Sequence, residues 1–367
     1  MASHFKKEGI PLLRTKNVKE FYIDLESDPI YIGNACIVPN TFPVANSADI
    51  ILMNPNKELL PEYLTAFINS KYGQFQIERG SSGGIQGHMN LYSLEKLSIP
   101  VLGITKQTTI KNIVLLGLKE LEKSKSFYNQ AEKLLLEELG LKDFKPKEDL
   151  SFVVNYSDVK KVDRMDADYF QPKYAELIKK LGKKEKLSKI AKRKTNLIKI
   201  NKEGEYKYIE ISDINVGNGE VASNEVLGKD LPANAKIKIN GGELIVSKVR
   251  PTRGAISIIP DNWQENYVAS GAFSVFEITS PEREFLQVVL RSIIGKLQIE
   301  KPTTGTSYPT VTDEDVGNVL IPVLPKNTQQ KIADLVRKSH EARKKSKELL
   351  NEAKRKVEEM IEKGDKK

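Results

Sequence analysis

Apolar side chains recur along this 367-residue chain with two different periods, and the change of period marks the elements. Residues 206–211, 244–250, 255–259 and 273–279 are short runs rich in Val, Ile, Phe and Tyr, bounded by Gly, Asn and Pro. They predict strands of an irregular, mostly β domain. Over residues 282–300 the apolar positions Phe285, Val288, Val289, Ile293, Leu297 and Ile299 take helical spacing, so one helix is expected there. A loop, KPTTGTSYPT, follows. Thr312-Asp313-Glu314 then supplies an N-cap and acids for the first turn of a short helix. The segment closes on Ile321-Pro322-Val323-Leu324, which its proline holds extended.

Two longer patterns stand apart. From about Thr105 and from about Asn327 the chain reads as helix for roughly 35 residues, or about 50 Å at 1.5 Å per residue. The first carries a seam at Ile110, Val114, Gly117, Leu121, Ser124, Tyr128, Ala131 and Leu135. The second carries Ile332, Val336, Ser339, Arg343, Ser346, Leu350, Ala353 and Val357. The spacing alternates four and three, as a coiled-coil seam requires. Small residues at matching places allow two backbones to approach. Two units related by a pseudo-twofold would pair these helices antiparallel; the alternative is that each packs on its own domain.

The seams match because the chain repeats itself. At an offset of 222, residues 62–102 lie over 284–324 without a gap, with 12 identities in 41 positions. They are Glu62, Leu64, Ser70, Gly73, Gln76, Ile77, Glu78, Gly83 and the set Ile99-Pro100-Val101-Leu102, each with its partner. Gln107 over Gln329 and Ile110 over Ile332 continue the match. Upstream it weakens, and the first copy lacks counterparts of residues 163–205 and roughly 217–250, so it is shortened by about a third.

Composition narrows the chemistry. Apolar residues make up 39% and charged residues 29%, which suits a folded chain with long charged helices. No run of 18 uncharged apolar residues is present, and the opening MASHFKKEG lacks the apolar core of a signal peptide, so a cytoplasmic protein with no membrane partner is expected. Cys36 is the only cysteine, which excludes a disulfide framework and a cysteine-based zinc site within this chain. Net charge is +9, and residues 179–203 alone hold eleven Lys/Arg against two Glu, which points to a polyanionic partner. The second long helix, 326–367, holds 14 Lys/Arg against eight acids.

Catalytic signatures are missing. The sequence has no GxxxxGK[ST], no GxGxxG after a strand and no HExxH, and its three histidines, His4, His88 and His340, stand in unrelated contexts. Met53-Asn54-Pro55-Asn56 faintly resembles an amino-methyltransferase motif but lacks its second proline and its aromatic residue, so it reads as a turn. No catalytic residue and no metal ligand is expected.

What remains is two polar loops in equivalent places. One holds Ser81, Ser82, Gln86 and His88; the other holds Thr303, Thr304, Thr306, Tyr308 and Thr310. Such side chains hydrogen-bond base edges, while lysine and arginine hold phosphates. Lys248, Arg250 and Arg253 cluster around Pro251 and Gly254, and Lys192, Arg193 and Lys194 lie in the basic segment. These are the candidate DNA-contacting residues.

The arrangement resembles the DNA specificity subunit of type I restriction-modification systems. The resemblance rests on GTSYPTVTDEDVGNVLIPVLPKNTQQKI (305–332) and on GGIQGHMNLYSLEKLSIPVLGITKQTTI (83–110), with Gly103 where a proline is more usual. The opening GIPLLRTKNV (9–18) is similar to the family's early strand and adds Lys16 and Asn17 to the candidates. The resemblance implies an α+β chain with two mostly β target-recognition domains in tandem, separated by two antiparallel coiled-coil helices. The boundaries are 1–104 (the shortened first domain), 105–142 (first spacer helix), 143–162 (linker), 163–325 (second domain) and 326–367 (second spacer helix).

The implied function is non-catalytic. Each domain would read half of a bipartite site in double-stranded DNA, and the helices would set the spacer. Two methyltransferase subunits would dock and methylate adenine N6, and motor-nuclease subunits would add cleavage. S-adenosylmethionine, ATP and Mg would be bound by those partners and none by this chain. The rival reading is a self-contained DNA methyltransferase or nuclease with its own recognition domain.

Overall fold

The computed structural model describes residues 12–13, 21, 34–38, 45–46, 50–80, 91–195, 197–279 and 282–363. The chain divides into two compact units, Met1–Ser124 with Glu341–Lys367, and Lys125–His340. Both long helices cross from one unit's residues to the other's.

In the first unit, β1 (Leu12–Leu13) pairs in parallel with β2 (Ala45–Asn46). Three helices follow: α1 (Pro61–Ile68), α2 (Lys71–Gly80) and α3 (Leu91–Glu95). Pro61 opens α1 where a missing N–H costs nothing. Then comes α4 (Ile104–Glu138), whose residues to Ser124 belong here. The core joins Tyr63, Phe67 and Ile77 to Ile110 and Val114 of α4, and to Leu350, Ala353 and Val357 of the C-terminal helix. Gly117 faces Leu350, and Lys345 lies 3.7 Å from Glu120. A step forward along one helix is thus a step back along the other, so the two segments run antiparallel in this unit. The turn lies later than the 53–56 segment, over 56–59: Asn56 Oδ1 accepts from the backbone N–H of Glu58, and Leu59 N–H donates to Asn56 O.

The second unit opens with the rest of α4, then α5 (Tyr156–Val162), α6 (Pro172–Lys180), β3 (Lys184–Lys186), α7 (Leu187–Ile190) and β4 (Ala191–Arg193). Next are β5 (Glu205–Ile209), β6 (Asn224–Leu227), β7 (Ala235–Lys238), β8 (Leu244–Ser247), β9 (Ile256–Ile258), β10 (Tyr267–Ser270) and β11 (Phe273–Ile278). The unit ends with α8 (Arg283–Arg291), α9 (Ile293–Glu300), α10 (Asp313–Gly317), β12 (Leu320–Pro322) and the start of α11 (Lys326–Lys363). Two four-stranded sheets form, in the orders β6-β5-β10-β7 and β4-β11-β8-β9, with β12 pairing β3. The β8 burial pattern is unbroken, as expected of a strand covered on both faces. The long-helix residues Tyr128, Leu135, Ile332 and Val336 join α8 and α9 in its largest core.

One expectation is corrected. Residues 282–300 form two helices, not one. Ser292 is extended, its Oγ donating to Val289 O at 2.8 Å and accepting from Ile294 N–H at 3.2 Å. A Cβ on Gly295 would stand 2.1 Å from Leu290 O, so the second helix turns tightly on the end of the first. Among the described residues of the second unit, β3, β4, β6, β7 and β10 lie outside the apolar runs. The four strands expected from those runs are all shorter than their runs, β8 and β9 most of all. The chain leaves β5 at Ile209 for a 3-10 turn at Ile211–Asp213, and it leaves β8 at Ser247.

The same local bonds occur in both units, 222 positions apart. Gln76 exchanges two hydrogen bonds with the Ser98 backbone at 2.8 and 3.1 Å, and Gln298 does so with Leu320 at 2.8 and 3.0 Å. Gln107 Nε2 donates to Leu102 O at 2.7 Å and Gln329 Nε2 to Leu324 O at 2.8 Å. Ser70 and Ser292 each donate to the carbonyl three residues back. Gln76 of α2 and Gln298 of α9 hold the residue before the closing tetrapeptide, and Gln107 and Gln329, on the helices that follow, hold its last carbonyl.

Candidate nucleic-acid interface

Two segments of the second unit meet at one edge. The first leaves β8 through Lys248 and Val249 and turns at Pro251–Arg253. The second is the loop between α9 and α10. Thr304 and Thr310 exchange backbone hydrogen bonds at 3.0 and 2.9 Å, closing that loop into a narrow hairpin whose Gly305 takes φ +88°. Val249 bridges Thr310, Arg250 N–H donates to Pro309 O at 2.7 Å, and Val311 N–H donates to Lys248 O at 3.0 Å. The two segments form one continuous backbone platform.

The loop's base is pinned by Arg164, which sequence reasoning missed. Its guanidinium pairs with both Asp166 oxygens at 2.8 Å and also donates to Pro302 O at 3.0 Å and Thr303 O at 3.1 Å. The Asp166 hydrogen bond to Arg164 overcomes burial and holds its carboxyl below the usual range. Thr303 is half-buried, its Oγ1 donating to Glu300 O at 2.6 Å. At the tip Thr304, Thr306 and Tyr308 are exposed.

The basic candidates separate by their partners. Half-buried Lys194 pairs with buried Glu243 at 2.5 Å, an ion pair inside the unit. Arg193 and Lys248 both reach Asp313, at 2.6 and 3.2 Å, and the Ser274 hydroxyl donates to the same carboxylate. Burial works against ionising Asp313, but Ser274, Lys248 and Arg193 outweigh it and hold the carboxyl below its ordinary value. Lys192 and Arg253 are exposed. Arg250 makes no ion pair among the described residues; its guanidinium lies over the Tyr308 ring, 4.5 Å from the centroid.

Beneath the turn lies Arg291, 6% exposed. It donates to Val216 O at 2.6 Å, Gly254 O at 2.5 Å and Tyr128 Oη at 2.7 Å. Nothing in the sequence marks it; a buried arginine becomes visible only when those carbonyls converge.

Lys16, Asn17, Ser81, Ser82, Gln86 and His88 lie outside the described residues. The seam residues Ile110, Val114, Gly117, Leu121, Tyr128, Leu135, Ile332, Val336, Ser339, Leu350 and Val357 are all buried. Among the described residues, no group of three or more His, Cys, Asp or Glu is placed to hold a metal ion, and no helix is long and apolar enough to cross a membrane.

Residues 178–355 match the model of the type I restriction modification DNA specificity domain. Among curated proteins, the type I restriction enzyme HindI specificity subunit of Haemophilus influenzae is 30% identical over 131 residues, covering 33% of this chain and 28% of that one. The chain thus spans under a third of that relative's length. Among solved structures, the HsdS subunit from Thermoanaerobacter tengcongensis is 30% identical, with TM-score 0.37, covering 41% of this chain and 40% of that one. The type I restriction-modification S subunit from M. genitalium is 15% identical, with TM-score 0.37, covering 82% and 73%.

Proposed function

We propose, from the match of residues 178–355 to the type I restriction modification DNA specificity domain, that this chain is the DNA-reading, non-catalytic subunit of such a system. The observation that carries the proposal is the platform of the second unit, where an exposed loop is bonded to a basic turn inside the matched domain. Exposed Arg253, Thr304, Thr306 and Tyr308 on a fixed backbone suit phosphates and base edges.

The finer reading is a tandem duplication that addresses a bipartite site in double-stranded DNA. It is supported by the 222-residue offset and by the glutamine and serine bonds that recur at that offset. The first unit, residues 1–104 before the helix, is the shortened reader. The helices set the spacing, since four helical residues advance about 6 Å, close to two base-pair steps. Two methyltransferase subunits dock on this frame, and restriction subunits add the motor and nuclease. S-adenosylmethionine, ATP and Mg belong to those partners, and the assembly works in the cytoplasm. Adenine is flipped into a pocket on the methyltransferase.

The test is to map methylated adenines genome-wide in cells expressing this chain with its methyltransferase. A bipartite motif that disappears without this chain is the expected result. Methylation of DNA by the purified chain alone would overturn the proposal in favour of a self-contained enzyme.

A further inference from the structure

We propose that Arg250 reads a guanine in the half-site addressed by the second unit, acting as the specificity-determining side chain of the platform; the inference rests on the DNA-reading function above. Three observations separate Arg250 from the other cations.

The first is its backbone. Arg250 sits at φ 46° and ψ 50°, the left-handed region, which residues other than glycine seldom occupy. Its N–H donates to Pro309 O and its carbonyl accepts from Arg253 N–H at 3.1 Å, so the conformation is fixed from both sides. Strained residues of this kind persist where the surroundings over-determine them, and they cluster at functional sites. A phosphate contact needs only a charge on a flexible stem and gives no reason for such a constraint.

The second is the stack on Tyr308. Guanidinium over an aromatic face orients the planar fork while leaving its N–H edge open. Tyr308 is 67% exposed, so the stacked pair stands at the surface. A guanidinium held against the ring offers its fork to the O6 and N7 acceptors that guanine presents in the major groove, the commonest specific arginine contact.

The third is charge. Arg193 and Lys248 share the Asp313 carboxylate and Lys194 pairs with Glu243, all within the unit. Arg250 has no such acid among the described residues. Its donors are oriented and left for an outside acceptor.

The experiment is selection from a pool of duplex DNA with randomised positions, using the full chain alone and assembled with its adenine methyltransferase. Arg250→Lys keeps the charge and removes the fork. Arg250→Gly removes the side chain and fits the left-handed backbone, so it folds, as thermal melting verifies. Both variants are expected to lose the preference for guanine at one position by about tenfold or more, with the other positions kept. Guanine preference intact in Arg250→Lys, or equal weakening on every sequence, overturns the inference while leaving DNA reading in place. A wild-type chain that selects no sequence in either form overturns the DNA-reading function itself.

Discussion

Arg291 Nε donates to the Tyr128 hydroxyl at 2.7 Å, and so joins the long helix α4 to the basic turn of the same unit. The other guanidinium nitrogens hold Val216 O and Gly254 O, the latter at the foot of the turn that carries Arg250 and Arg253. Both side chains are buried, and burial drives the Tyr128 phenol above its ordinary pKa although Arg291 opposes it. A buried guanidinium without a carboxylate is tolerable only when its donors are used.

Tyr128→Phe leaves the Arg291 Nε donor unsatisfied in a dry site. The expected cost is about 1–3 kcal/mol, the range for an orphaned buried donor. Urea unfolding measures it; an unchanged midpoint would show that the bond carries no stability.

At Gly117 the two long helices pack tightly in the first unit. A Cβ there would stand 2.8 Å from Leu350 Cδ2. Gly117→Ala is therefore expected to destabilise by about 1–3 kcal/mol through overpacking, offset in part by helix propensity. In a Leu350→Ala background the same substitution should cost nothing or stabilise. Equal effects in both backgrounds would deny the contact.

Asp313 holds two cations that face the proposed DNA surface. Asp313→Asn frees Arg193 and Lys248 for phosphates. Non-specific duplex binding should tighten, and the salt dependence should steepen by up to about 0.9 per added phosphate contact. A titration of affinity against salt decides; an unaltered slope means that neither cation reaches the backbone of DNA.

His340 on α11 buries its Nε2, and burial pushes the imidazole below its ordinary value. Glu220 and Glu284 pull in the opposite direction, and Arg291 adds to the depression. The folded state thus prefers the neutral ring, while the unfolded chain binds a proton near pH 6.5. This contribution is complete above about pH 6.5 and is lost as pH falls below that value towards the lower folded pKa. Unfolding free energies between pH 5 and 8 should show a steeper decline in the wild type than in His340→Leu. Parallel curves would remove His340 as the cause.

Much of the second unit was legible because its signals are local. Thr312 and Asp315 form a reciprocal capping box where the sequence places a helix start. The long helices span Ile104–Glu138 and Lys326–Lys363, against starts read at about Thr105 and Asn327. Residues 282–300 failed as one helix because the break depends on how Gly295 packs on the Leu290 carbonyl, while Ser292 reads as an ordinary helical residue. The strands β6 and β7 were missed because Asn, Glu and Lys dilute their apolar content. Tertiary pairing with β5 and β10 makes strands of them.

The chain's periodicity by itself marked the seam, whose apolar positions on both long helices are buried. Burial along a helix follows from spacing over a few residues, and spacing is written in the sequence. Only the tertiary structure decided which cations are already paired. Arg193 meets Asp313 across 120 positions and Lys194 meets Glu243 across 49. Coulomb attraction acts over a few ångströms of space, and only the fold sets which charges come within that reach.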